Sequence, residues 1–241
     1  MAQGDQQNEY PMYPNSITPQ TATEMIPHFQ RGVDFRKTGE STVITMAGPA
    51  HWDLFKYISA VSGMPLNDHH KSLITETVKL KKLRKRQYFL QEGDVCKYIG
   101  FIIKGATRMF SVNERGQESI VAFGLENSWI VDQESFKNTD CSAYHIEAME
   151  DTEMLIMNLT QLEYLTGTVP PFAAMYSQFQ LQQLIYNQKR INAALSMTAE
   201  ERYYDLLKNK PQYSQRFSQN MIACYLGVKP ETLSRIRKSN L

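Results

Sequence analysis

Apolar positions along this chain change their period more than once. Over residues 51–78 they recur at helical spacing, at Leu54, Tyr57, Ile58 and Val61 and then at Leu73 and Ile74, with the polar break SGMPLNDHH between the two runs. This pattern predicts two short helices joined by a loop. From residue 79 to 165 short runs of β-branched and aromatic residues alternate with turn signals instead. EGD at 92–94, Lys104-Gly105, NERGQE at 113–118 and GLENS at 124–128 recur about every 10 to 12 residues, which predicts an antiparallel sandwich or barrel of short strands. Residues 107–123 read as one hairpin that turns at Gly116. Residues 143–158 (AYHIEAMEDTEMLIMN) read as a second, with MED near its tip.

From Pro170 the period is helical again, and it is double. Phe172, Met175, Phe179 and Tyr186 fall on one side of a long helix, while Leu181, Leu184, Ile191 and Leu195 repeat at 3, 7 and 4 residues on roughly the opposite side. A surface helix needs one apolar stripe, so two stripes call for two covering surfaces. The preceding β domain can supply one. The 3-4 spacing of the other suits a partner helix from a second copy of the chain; the alternative is burial within one subunit.

Residues 197–209 predict a further helix, capped by Ser196 or Thr198 and buried through Tyr203, Leu206 and Leu207; PQYSQRF after it reads as a linker. The segment at 218–238, SQNMIACYLGVKPETLSRIRK, has the spacing of a helix-turn-helix. Ser218 caps the first helix, Ile222, Ala223 and Leu226 face the core, Gly227 turns the chain and Val228 plugs the turn. Pro230 opens the second helix, and Leu233 and Ile236 bury it. Such a helix enters the major groove with its N-terminal part toward the bases. Arg235 can take a guanine bidentately and Glu231 can accept from cytosine N4. Thr232 and Ser234 suit base or phosphate contacts, and Lys229, Arg237 and Lys238 suit phosphates.

Composition narrows the field further. The 241 residues allow one large or two modest domains, and a net charge of +1 names no partner. Local charge is more telling. Residues 201–241 hold eight basic against three acidic side chains, while residues 126–153 hold eight acidic against one basic. Three dispersed cysteines, Cys96, Cys141 and Cys224, fit a reducing compartment better than a disulfide framework or a zinc site. His69 and His70 have no third ligand at helical spacing and read as a polar loop before a helix, so no metal site is expected. Residues 1–50, rich in Gln, Thr, Pro and Gly, are expected to be a disordered extension. The N-terminus lacks the pattern of a secretory signal, and no apolar run spans a bilayer. A cytoplasmic protein without a membrane partner is expected. No Ser/His/Asp spacing, P-loop or dinucleotide signature points to an enzyme.

A β domain, a long helix and a terminal helix-turn-helix, in that order, resemble the Crp/Fnr family of bacterial transcription regulators over about two thirds of the chain. QEGDVCKYIGFIIKGATRMF is similar to that family's first hairpins. The family's core of Arg-Glu-Thr, an apolar residue, any residue and Arg falls on residues 230–235; Glu231 and Arg235 carry over, while Pro230 replaces the first Arg. The resemblance implies an α+β fold. It comprises an antiparallel, double-stranded jelly-roll-like β-roll sensor behind a helical lead-in (51–168), a dimerisation helix (169–196) and a helix-turn-helix DNA-binding domain (197–241). It further implies a homodimer acting on a near-palindromic operator in double-stranded DNA, with RNA polymerase as a further candidate partner.

Two departures qualify the resemblance. Nucleotide-binding members hold a phosphate with Gly-Glu, a short helix and Arg-Ser. Here Val131 and Asp132 stand at the first pair and Cys141 and Ser142 at the second, in a net acidic stretch, so this ligand pocket is degenerate and cyclic AMP is not expected as the effector. An iron–sulfur cluster wants four thiolates, and a haem could draw only on His145 or Cys141. No cofactor is expected, and an unidentified small-molecule effector is left open. The chain given ends three residues after Lys238, so phosphate contacts are expected from the helix ends and residues 202–216. The rival reading is a signalling module whose last helices dock a partner other than DNA. It requires exposed apolar residues there.

Overall fold

The structure, a computed structural model, describes residues 48–238, so the disorder expected over residues 1–50 falls outside it except at the last three positions. Helix α1 (Pro49–Ser62) starts two residues inside that stretch. Helix α2 (Asp68–Thr77) is capped by Asn67, whose side chain accepts from the His70 amide at 2.7 Å. That cap puts His69 and His70 into the first turn of α2 rather than the loop. Among the described residues no three His, Cys, Asp or Glu side chains gather as a metal site.

Eight strands follow: β1 (Lys79–Leu83), β2 (Tyr88–Leu90), β3 (Ile99–Lys104), β4 (Thr107–Val112), β5 (Glu118–Gly124), β6 (Trp129–Ile130), β7 (His145–Ala148) and β8 (Thr152–Met157). They form two four-stranded antiparallel sheets, β1-β8-β3-β6 and β2-β7-β4-β5, with the short helix α3 (Gln133–Asn138) between β6 and β7. The hairpin expected over residues 107–123 is β4 and β5.

The second expected hairpin is not one. β7 pairs with β2 and β4, whereas β8 pairs with β1 and β3 in the other sheet. The half-buried Arg108 of β4 explains where β7 goes: its Nε donates to the buried Glu147 of β7 at 2.8 Å, and the two residues are register partners. The turn before β8 therefore crosses between sheets, and so does Gly105, between β3 and β4. The two corners touch. Gly105 has φ 105°, and a Cβ there would lie 2.7 Å from Thr152 Cα, so only glycine fits.

The strand region also ends sooner than the turn spacing suggests. Residues 159–168 are helix α4 (Leu159–Thr168), started by a reciprocal cap in which Asn158 and Gln161 side chains each accept from the other's amide at 2.9 Å. The roll core is apolar: Ile99, Phe101, Ile102, Ile146, Met154 and Leu155 are buried from both sheets, closed at one end by Leu54, Ile58 and Ile74 of α1 and α2.

Helix α5 (Pro170–Ser196) starts on the roll, burying Phe172, Met175 and Phe179. Then come α6 (Ala199–Asn209), α7 (Pro211–Arg216), α8 (Gln219–Leu226) and α9 (Pro230–Lys238). Thr198, the second of the two expected caps, starts α6 with Glu201 in a capping box. The expected linker PQYSQRF is α7, and its Tyr213 and Phe217 are buried. They belong to a second apolar core, which joins α6 to α9 with Ala106, Phe110, Ile120 and Phe123 of the roll. The helical unit is thus seated on the β4–β5 hairpin.

Candidate nucleic-acid interface

The helix-turn-helix is assembled from its punctuation. Ser218 Oγ accepts from the Met221 amide and starts α8. At the other end Gly227 (φ 67°) lets the Val228 amide reach Ala223 O at 2.9 Å while its own amide reaches Cys224 O at 3.1 Å. These are the paired bonds of a Schellman turn, whose left-handed residue is glycine for steric reasons. Lys229 O then accepts from the Thr232 and Leu233 amides, winding α9.

Leu233 and Ile236 sit buried on one side of α9. Glu231, Ser234, Arg235 and Lys238 share the opposite side at spacings of three and four, and all are exposed. Thr232, half-buried, flanks them, with its hydroxyl 3.4 Å from Arg235 Nη2. Lys229 and Arg237 are exposed at the margins. Among the described residues no large apolar side chain is exposed on α9, which disfavours the rival docking surface. Basic residues in the last turn also complement the C-terminal end of the helix dipole.

The second stripe on α5 is open. Leu181, Leu184, Ile191 and Leu195 are 50, 57, 62 and 84 % exposed. Gln188 stands between Leu184 and Ile191 and completes the 3-4 repeat; the sequence reading passes over it because it is polar.

In the roll, the four positions read as the cassette lie together. Asp132 is buried, caps α3 by accepting from the Glu134 amide at 3.2 Å, and takes the Ser142 hydroxyl at 2.6 Å. The Asp132 carboxylate thus takes up the first amides of α3 and the Ser142 hydroxyl. Val131 is buried beside it, and Cys141 is exposed and paired with Val95 through an isolated bridge. His145 Nδ1 accepts from the Glu92 amide at 3.1 Å and its Nε2 lies 3.4 Å from a Glu92 carboxylate oxygen, so both ring nitrogens are engaged.

Sequence reading misses the seam between the roll and the helical unit. The Arg190 guanidinium lies over the Tyr225 ring at 4.4 Å, and its Nη1 donates to Val121 O. Cys224 Sγ donates to Glu118 O at 3.1 Å, and the Ile120 amide donates to that sulfur at 3.3 Å. Tyr186 and Tyr225 hydroxyls are hydrogen-bonded to each other, and Arg216 reaches both Glu126 and Glu150. Burial pushes the Tyr213 and Tyr225 phenols far above their ordinary range, with Tyr186 adding to it, so both stay neutral. The one advance signal is that Lys189 and Arg190 are the sole charges of α5.

Comparison with known proteins gives a consistent result. The model of the cyclic nucleotide-binding domain matches residues 80–168. The transcriptional activator protein Anr of Pseudomonas aeruginosa is 23 % identical over 169 residues, 65 % of this chain and 68 % of that protein. The regulatory protein HlyX of Actinobacillus pleuropneumoniae is 25 % identical over 183 residues, covering 71 % and 75 %. Among solved structures, FixK2 from Bradyrhizobium japonicum superposes with a TM-score of 0.59 at 20 % identity, over 68 % of this chain and 84 % of its own. The chain thus combines a roll matched by the cyclic nucleotide-binding domain model over residues 80–168 with a long helix and a terminal helix-turn-helix, and it is similar over most of its length to regulatory proteins such as Anr and HlyX.

Proposed function

We propose that the protein is a DNA-binding transcription regulator that works as a homodimer on a near-palindromic operator. Two copies pair along Leu181, Leu184, Ile191 and Leu195, and their α9 helices then enter successive major grooves about 34 Å apart. The observation that carries this reading is the face of α9 made by Glu231, Ser234, Arg235 and Lys238, polar and exposed opposite a buried Leu233 and Ile236. Arg235 and Glu231 are assigned to bases, Thr232 and Ser234 to bases or phosphates, and Lys229, Arg237 and Lys238 to phosphates.

Cyclic AMP is not assigned as the effector, because the cassette positions carry neither glycine nor arginine and Asp132 takes up the Glu134 amide and the Ser142 hydroxyl there. RNA polymerase is a candidate partner of the DNA-bound dimer. No helix among the described residues is long and apolar enough to cross a membrane, and a cytoplasmic location accords with a DNA target. No cofactor or catalytic role is assigned.

Selection of random duplexes by the full chain, read by fluorescence anisotropy, tests the proposal. Enrichment of a palindrome with half-sites one helical turn apart is expected, with discrimination at one base pair lost in Arg235→Ala. If the chain enriches no duplex even with small molecules from cell extract added, the DNA reading falls.

A further inference from the structure

With the roll's phosphate position filled from within, a second concavity becomes the better candidate for a ligand. A cavity of about 740 Å³ opens where β5, α5, α6 and the end of α8 meet, within the range that small-molecule sites occupy. Its walls combine two chemistries. Ile120, Leu206, Leu226 and the Tyr225 ring give it an apolar side, and Lys189, Arg190, Arg202 and Lys210 face a single carboxylate, Asp205. Arg202 Nε is buried and has no hydrogen-bond partner, and its Nη1 reaches only Ala194 O at 3.4 Å. Four cations against one carboxylate leave a surplus of positive charge along the wall, which a charge-assisted bond to an entering anion would offset. The open stripe of α5 faces the other way: Tyr186, Arg190 and Ala193, which line the cavity, lie opposite Leu184 and Ile191 on the helix.

We infer that this cavity is an effector site for a small anion with an apolar or aromatic body, bound between the roll, α5 and the helical unit. Such a ligand touches β5, α6 and α8 at once, so it stabilises the seated arrangement of the helical unit relative to any arrangement in which the two sides part. That this regulates DNA binding rests on the function proposed above; the binding itself does not.

The probe is 8-anilinonaphthalene-1-sulfonate, an aromatic sulfonate, titrated by fluorescence into the full chain without DNA. Saturable binding is expected, weakened at least tenfold in Lys189→Glu/Lys210→Glu and in Ala194→Trp, which fills the cavity from an exposed position, and kept in Lys79→Glu, a charge reversal at an exposed position of β1. Because Lys189, Lys210 and Ala194 are exposed, these substitutions leave the fold intact, which circular dichroism verifies. No saturable binding, equal binding by both cavity variants, or an equal loss in Lys79→Glu would overturn the inference. The titration needs no DNA and the duplex selection needs no anion, so either reading can fail alone.

Discussion

The ring of Phe123, near the end of β5, stacks on the ring of Phe217, just after α7, with centroids 3.8 Å apart and planes 19° from parallel. Tyr213 and Tyr225 close around the same ring at 5.2 and 5.0 Å. One aromatic side chain of the roll is therefore enclosed by three from the helical unit. Phe123→Ala removes the shared centre, at a cost of about 3 kcal/mol or more by analogy with buried aromatic truncations. The loss falls on the seam rather than the roll core. Hydrogen exchange should accelerate at the Ile120 and Tyr225 amides while Phe101 and Ile102 keep their protection. Uniform loss of protection would show that the seam is not a separate unit.

Arg216 holds the seam electrostatically, through Glu126 and Glu150. Burial alone would raise the Glu126 pKa, but hydrogen bonds from Arg216 and from the Gly105 amide outweigh it and hold the carboxyl below its ordinary 4.5. A depressed folded pKa means a contribution present above the unfolded value and lost as pH falls through the folded one. The seam should therefore be intact at neutral pH and loosen below about pH 4.5, and Arg216→Ala should flatten that dependence. These groups are partly exposed, so Arg216→Ala should cost only about 1 kcal/mol at pH 7. Urea melts at pH 7 and pH 4 for both proteins measure this directly.

Asp132 should be needed for the roll and unhelpful for a nucleotide. Asp132→Ala leaves the buried Ser142 hydroxyl without its 2.6 Å partner and α3 without its cap, at a cost of about 2 kcal/mol. Equilibrium dialysis with cyclic AMP should show no binding to the wild-type chain at micromolar concentration. Micromolar affinity would remove the argument from Asp132 altogether.

Leu184→Glu should leave a folded monomer in sedimentation equilibrium, because Leu184 is exposed within one chain and is assigned to the pairing stripe. Gln188→Leu should act in the opposite sense. A polar residue at a core position of a helical pair fixes register at a cost in stability, so its replacement should tighten the dimer. A Leu184→Glu chain that remains dimeric would place the interface elsewhere.

The helix-turn-helix was legible because period and punctuation agree there: Ser218, Gly227 and Pro230 mark its ends at the points where the apolar spacing starts and stops. Sheet membership was not. Alternation reveals which face of a strand is buried but not which strand lies beside it, so β7 and β8 read as a hairpin although Glu147 pairs across to Arg108. Residues 211–217 read as a linker because Tyr213 and Phe217 are its only apolar positions, and what buries them, Phe123, lies far away in sequence. The sequence reading places the cassette at Val131, Asp132, Cys141 and Ser142. The inward turn of Asp132 depends on its distance from Ser142, which no local pattern encodes.

That inward turn has a kinetic meaning. A bound metabolite comes and goes with its concentration, but the Asp132 carboxylate is tethered a few bonds from the amide groups it occupies. Its effective concentration there is of millimolar order or above and cannot be diluted. On the proposed reading of the cassette, a diffusing phosphate would have to displace a competitor that never leaves. The roll would then act as a receptor with a built-in antagonist, and changes in the cell's nucleotide pool would pass it unread.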